Sequence, residues 1–327
     1  MFVQSRNAMG TVFTIYLYVE SDSYAEASFE TAFEEIERLD ETLSNYRPSS
    51  ELSRINRLAG RQAVTTDPEV FSLLETALRY SSETEGAFDV TVGPLMRAWG
   101  FFRGQGLFPD AEELRLAREK TGFEKVQLAQ NVRTVSFAVP DMEIDLGAIG
   151  KGYAVDRAGA VLREAGVSAA LIDAGSSTLY AMDAPPGQDG WRVHVPDPLY
   201  RSRHIASLTL RNESISTSGN YEKFFQLGDR KYCHVMDPRT GVPVEGVLQA
   251  TLVAADGVTS DALSNAMFVM GSGAGSELLA RLAGSRGIWV LNESESQKVV
   301  KWNWQAHPAD IEQIPSPAMN HWRAQKA

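Results

Sequence analysis

Four segments of this 327-residue chain carry residue types at spacings that could do chemistry. The first is Asp145-Leu146-Gly147-Ala148-Ile149-Gly150-Lys151-Gly152. Glycines at a strand-to-helix junction let the backbone approach a ligand closely. Amides at a helix start, and the helix dipole, favour an anion there, and Lys151 adds a formal positive charge. The spacing G-x-x-G-x-G is not that of the dinucleotide fingerprint, and a tight turn that needs glycine for packing is the competing reading. The second segment runs from Thr259 to Ala266. Asp261 and Asn265, four residues apart, share a helix face and offer the hard oxygens that magnesium prefers. Asp261 alone also suits a helix start as a charge favourable to the dipole. The third is His234-Val235-Met236-Asp237-Pro238-Arg239-Thr240-Gly241, where a turn after a strand places His234 at a strand end. Histidine is the usual general base near neutral pH, although a lone one also serves structural roles. The fourth, Ser214 to Tyr221, puts hydroxyls and a glycine at a strand end, fit for anion or ribose contacts or simply for a hydroxyl-rich turn.

The elements that must position these segments are legible from pattern. Gly10–Val19 reads as a strand. Tyr24–Leu43 reads as an amphipathic helix, with Ala25, Phe29, Ala32, Phe33, Ile36 and Leu39 at helical spacing. Helices follow over Glu51–Leu58, from Asp67-Pro68 to Thr84 with a capping aspartate and a first-turn proline, and over Glu112–Lys120. Gly86 to Gly106 reads as a long glycine-containing connection with apolar residues inside it, a kind of loop more often functional than idle. Strands are expected at Lys125–Leu128, Thr134–Ala138, Ala169–Ile172, Trp191–Val195, Ile205–Leu210, Tyr232–Val235, Leu248–Ala254, Gly287–Leu291 and Val299–Trp302. The glycine-rich segment leads into a helix ending near Ala165, and Thr259–Met270 and Ser276–Leu282 read as two further helices. Strands and helices mix without regular alternation, which predicts an α+β fold rather than a doubly wound sheet. The expected organisation is a single domain over residues 1–310. The chain is polar and proline-bearing after His307, with residues 311–327 as a loosely held tail.

Composition narrows the function classes. A net charge of -11 argues against nonspecific nucleic-acid binding and against a basic membrane-surface helix. It also means that any anionic ligand needs local positive charge. The single cysteine, Cys233, allows no intrachain disulfide and no cysteine-based zinc or iron–sulfur site. No apolar run approaches the roughly 18 residues of a membrane span. Met1 to Arg6 shows no basic region followed by an apolar stretch, so no secretory signal is read there. As it stands the chain is expected to be cytoplasmic, or extracytoplasmic if an export signal has been removed.

Taken together, the segments resemble the FAD:protein FMN transferase family, also called the ApbE or flavin transferase family. The resemblance rests on seven pieces in family order: MGT at Met9, SNYRPSSELSRIN from Ser44, GAFDVTVGPL from Gly86, DLGAIGKGYAVD from Asp145, ISTSGNYEKFF from Ile215, HVMDPRTGVPV from His234 and SDALSNAMFVMG from Ser260. It implies a flavin-transferase architecture, T-fold-like, of two lobes with FAD in the cleft between them. Met9, Tyr46, Ala87, Phe88 and Asp89 match positions that line the FAD site. Asp145, Lys151 and Met236 match flavin-nucleotide contacts. Ala148, through its carbonyl oxygen, and Asp261 match metal ligands, and His234 matches a histidine near the reacting phosphate. Asn265 stands where the family usually has threonine, and Asp173-Ala174-Gly175-Ser176-Ser177 where it usually has a Gly-Gly-Asn-like turn.

The activity so implied is magnesium-dependent transfer of FMN from FAD to a threonine or serine hydroxyl of an acceptor protein, with release of AMP and with His234 and Asp261 as the catalytic residues. The acceptor would be a flavoprotein subunit with a short Ser/Thr motif, of a redox-driven pump or flavin reductase. Hydrolysis of FAD to FMN and AMP, and flavin binding without turnover, are the alternatives.

Overall fold

Strands that follow one another along the chain pair with one another in space. In this computed structural model, β1 (Phe2–Ala8), β2 (Thr11–Tyr18), β3 (Ala169–Ala174), β4 (Thr178–Met182), β5 (Glu213–Gly219), β6 (Val247–Ala254), β7 (Arg286–Asn292), β8 (Ser296–Trp302) and β9 (Gln313–Pro315) form a nine-stranded sheet in that order. Every pairing in it is antiparallel. Antiparallel neighbours need no crossover helix, so the long insertions between strands are free to build other things. The structure describes residues 1–103, 106–200, 202–220, 224–227, 230–293, 296–304 and 313–315.

The insertion between β2 and β3 holds α1 (Asp22–Leu43), α2 (Glu51–Leu58), α3 (Pro68–Glu83), α4 (Gly93–Ala98), α5 (Ala111–Glu119) and α6 (Gly150–Glu164). That between β6 and β7 is α7 (Gly257–Leu279). Side-chain oxygens start the helices: Asp67 caps as expected, accepting from the amide of Glu69, and Ser21 accepts from that of Tyr24, each satisfying an otherwise orphan donor. The stripe Ala25, Phe29, Ala32, Phe33, Ile36 and Leu39 of α1 is buried. It joins the large core between the helices and one face of the sheet. On the opposite face, Ile215, Val253, Ile288 and Val290 pack against Trp191, Val193, Val195, Ile205 and Leu210. These belong to a hairpin of Trp191–Pro196 with His204–Leu210. The central strands are therefore covered on both sides, and the α+β expectation holds.

Some elements differ from the pattern reading. The serine-rich segment is not a turn at a strand end but the strand β5 itself. Its Ser214, Ser216 and Ser218 face α7 and bond Ser260 and Ser264. Short hydroxyls there let the helix lie close to the sheet, and alternation of small polar residues carries no hydrophobic signal. β1 and β4 are likewise additions to the pattern reading. The long connection from Gly86 contains α4. The two helices expected after Thr259 run together in α7 through a break at Gly271, whose φ is 70°. Within the expected tail, Gln313–Pro315 pairs with β8, and residues 316–327 lie outside the described residues. No helix among the described residues is long and apolar enough to cross a membrane.

Candidate active site

Between the sheet's end and the helical insertion lies a cleft of about 700 Å³, in the size range of small-molecule sites. It brings together Met9, Tyr46, Phe88, Asp89, Asp145, Ala148, Lys151, His234, Met236, Asp261 and Asn265. Of the residues singled out from the sequence, Ala87 alone is not part of its lining, being fully buried. The lining comes from the β1–β2 turn, the helical insertion, the β3–β4 turn, the end of β5, the His234 segment and α7.

Asp261 sits at the floor, 7% exposed. Its Oδ2 accepts the amide of Gly152 at 2.8 Å and its Oδ1 accepts the hydroxyl of Thr178 at 3.2 Å. Lys151 Nζ stands 4.0 Å from Oδ1, too long for a strong pair, and donates at 3.4 Å to the carbonyl of Gly147. The glycine-rich segment differs here from a simple amide cradle for an anion. The amide of Gly147 goes to Asp145 Oδ1, those of Ile149 and Gly150 to the carbonyl of Leu146, and that of Gly152 to Asp261. The amides of Gly147, Ile149, Gly150 and Gly152 are thus occupied within the protein, and Lys151 is the positively charged side chain of the segment.

Three oxygen donors of the cleft are of the chemical kind that a hard cation takes. Asp261 supplies a carboxylate, Asn265 an amide oxygen and Ala148 a backbone carbonyl, all lining one cleft. These are hard oxygens carrying one formal charge. Among the described residues no group of three or more His, Cys, Asp or Glu side chains converges.

The wall opposite is built by the connection between β5 and β6. Here Met236 packs with Leu95, Trp99 and Ala117 of the α4–α5 region, so the half-buried His234 two residues earlier borders the cleft. Cys233 beside it is buried, and desolvation pushes its thiol up to about 11, so the thiol form is favoured at neutral pH. Asp145 is held from behind: Asn56 accepts the amide of Ile144 at 2.8 Å and donates to its carbonyl at 2.9 Å and to Asn45 at 3.1 Å. Asp89 borders the cleft but spends its carboxylate within the protein, on the amide and hydroxyl of Thr91 and the amide of Phe123. Burial raises its pKa, with those bonds opposing.

At the mouth stand the exposed Tyr46 and the half-buried Met9. Tyr46 is 73% exposed and meets Phe102 edge-on, with ring centroids 5.9 Å apart. Met9 opens the two-residue turn between β1 and β2 with φ at 50°, followed by Gly10 at 71°. That conformation favours Asn-Gly. A methionine held there is a local compromise of the kind that gathers at functional sites. Sequence reasoning does not single out Thr178, which opens β4 as the hydroxyl partner of Asp261. Thr178 follows two serines in Gly175-Ser176-Ser177, and nothing local marks it out before the sheet order is known.

A family model described as the ApbE family matches residues 9–289 of the chain. The chain is 32% identical over 290 residues to the FAD:protein FMN transferase of Klebsiella pneumoniae (strain 342), covering 88% of each. It is 29% identical over 299 residues to the FAD:protein FMN transferase of Treponema pallidum (strain Nichols), covering 86% of this chain and 82% of that one. Among solved structures, the ApbE protein of Thermotoga maritima superposes with a TM-score of 0.82 at 30% identity, covering 89% of this chain and 94% of that one. The apo flavinyl transferase ApbE of Pseudomonas stutzeri does so with a TM-score of 0.82 at 27% identity, covering 92% and 94%.

Proposed function

The chain belongs to the ApbE family, and from that premise we propose that it binds FAD in the cleft and transfers the FMN half to a serine or threonine hydroxyl of an acceptor protein, releasing AMP. The observation that carries this reading is Asp261 at the cleft floor, beside Lys151 and among neutral oxygen donors. That arrangement is compatible with a pyrophosphate and a hard cation held together. FAD offers the pyrophosphate and an aromatic ring at each end for the exposed Tyr46.

In this reading Asp261, Asn265 and the carbonyl of Ala148 would hold magnesium. When bound it would offset charge developing on the pyrophosphate oxygens, as in other phosphoryl transfers. Lys151 adds a fixed positive charge to the same region. Met9, Tyr46, Phe88 and Met236 orient the nucleotide, and the apolar packing around Met236 keeps water from the His234 side. The acceptor oxygen attacks the phosphorus on the FMN side. A new P–O bond forms, the pyrophosphate P–O bond breaks, and the electron pair leaves on AMP. His234 takes the hydroxyl proton, and help of that kind accounts for about 10²–10⁴-fold in rate.

The test is incubation of the protein with FAD and magnesium, with and without a serine- or threonine-bearing flavoprotein acceptor. Mass gain of one FMN on the acceptor, matched by AMP release, is the expected result. AMP and free FMN at equal rates regardless of acceptor would replace transfer by hydrolysis. Quenching of FAD fluorescence with no AMP under either condition would leave a binding protein.

A further inference from the structure

The helices α6 and α7 begin alike. Gly152 and Asp156 in one, and Gly257 and Asp261 in the other, stand four residues apart, so each glycine shares a helix face with its aspartate. The glycine faces touch. A Cβ on Gly152 would lie 2.0 Å from the carbonyl oxygen of Gly257, and one on Gly257 would lie 2.4 Å from that of Gly152. At this approach each carboxylate reaches the other helix. Asp261 Oδ2 accepts the amide of Gly152 at 2.8 Å. In return Asp156 Oδ1 accepts the amide of Gly257 at 2.6 Å and its Oδ2 that of Val258 at 2.9 Å.

The exchange is symmetric in geometry and unequal in surroundings. Asp261 opens on the cleft, whereas Asp156 is not part of its lining. The first amides of a helix have no intrahelical acceptor. The N-cap of α7, Asp256, serves only the amide of Thr259, at 2.7 Å. Gly257 and Val258 thus depend on a carboxylate that belongs to another helix. A cap supplied from within α7 would stabilise the helix and leave it free to slide. A cap supplied by α6 also fixes its place.

We propose that Asp156 is a positioning residue that locks the start of α7 onto α6 and so sets the place of the Asp261 carboxylate in the cleft. This rests on the reading of Asp261 as a magnesium-binding carboxylate. The role is geometric, since Asp156 is not part of the cleft lining and acts through the amides of Gly257 and Val258.

The experiment compares the wild-type protein with Asp156→Asn and Asp256→Asn. The side-chain amide in Asp156→Asn accepts from one backbone donor but turns its own N–H toward the other. Asp256→Asn alters the cap of α7 without altering its attachment to α6. Measured for each are Tm, kcat and KM for FAD in AMP release, and the magnesium concentration that gives half of the magnesium-induced rise in Tm without FAD. For Asp156→Asn, kcat is expected to fall at least tenfold and half-saturating magnesium to rise about tenfold, with KM for FAD within about twofold. Asp256→Asn keeps a capping oxygen and should leave all of these quantities near wild type. Should Asp156→Asn not fold, Asp156→Ser, which accepts from one amide and opposes neither, supplies the same comparison. Wild-type kcat and magnesium dependence in the folded Asp156 variant would overturn the proposal, and so would equal losses in Asp256→Asn. Absence of AMP release by the wild-type protein would overturn the transferase reading instead, and the magnesium-induced shift in Tm would still decide the positioning.

Discussion

The indole Nε1 of Trp99 donates to the carbonyl oxygen of Gly241 at 2.9 Å, across a buried contact between residues 142 apart in sequence. Trp99 closes α4 and Gly241 lies in the turn that follows His234 and Met236, so this bond fastens the wall carrying His234 to the helical insertion. Arg118 adds a second tie, donating at 3.0 Å to the carbonyl of Arg239. Trp99→Phe keeps an aromatic ring in the cluster and leaves the Gly241 oxygen without that donor, at a cost of about 1–3 kcal/mol. The expected outcome is a lower Tm and a fall in kcat for AMP release larger than any change in FAD affinity. A variant that loses stability while keeping wild-type kcat would show that the tie does not position His234.

Removing the carboxylate of Asp261 should abolish magnesium-dependent AMP release and leave FAD binding mostly intact. The loss should exceed the about 10–100-fold typical of an outer-sphere partner. Asn265→Thr restores the oxygen ligand usual in the family and should keep or raise activity. Both variants are assayed for AMP release from FAD across a magnesium titration and after EDTA treatment. Normal turnover by Asp261→Ala, or indifference of the wild-type protein to EDTA, would remove the metal from the scheme.

Much of this is legible in the residues and some is not, for identifiable reasons. Helix α1 announces itself through Phe29, Phe33 and Ile36, and α3 through Asp67-Pro68, because caps and apolar period are local. The glycines of the Asp145–Gly152 segment read locally as room for a ligand, yet Gly152 is glycine because the backbone of α7 occupies the place of a Cβ. That contact joins residues over 100 positions apart, and no local pattern records it. Thr178 and Asp156 are silent in the sequence for the same reason: each acts on a partner that only the sheet order and helix packing bring near. β5 is hidden because its inward side chains are serines, suited to closeness to α7 rather than to hydrophobic burial.

Tyr46 stands exposed at the cleft mouth beside Phe102, an uncovered ring ready to stack on one of the two ring systems of FAD. Such contacts are worth about 0.5–1.5 kcal/mol beyond burial, so Tyr46→Ala should weaken FAD binding by about two- to tenfold. Tyr46→Phe should bind nearly as the parent does, since the ring and not the hydroxyl makes the contact. Fluorescence titration of FAD decides it, and unchanged affinity in Tyr46→Ala would sink the stacking role.

The last expectation concerns pH and the buried carboxyl of Asp156. Burial pushes its pKa up from 3.8 to about 7; the amides of Gly257 and Val258 oppose this, and Asp256 and Asp261 add to the rise. Between those values the folded protein holds a proton on this group that the unfolded chain has released. The folded state then binds more protons than the unfolded state, so the group's contribution to stability falls as pH rises through that window. It is fully present below the unfolded value, is lost progressively up to about 7, and stays level above. Asp156→Asn has no such titration. The difference in Tm between the wild-type protein and Asp156→Asn should therefore shift against the wild type from about pH 5 to about pH 7 and flatten beyond about pH 8. Thermal unfolding followed by circular dichroism at half-unit intervals measures it. A difference that is constant across the range, or that moves in favour of the wild type as pH rises, would show that Asp156 is ionised throughout and that its two amide bonds outweigh its desolvation.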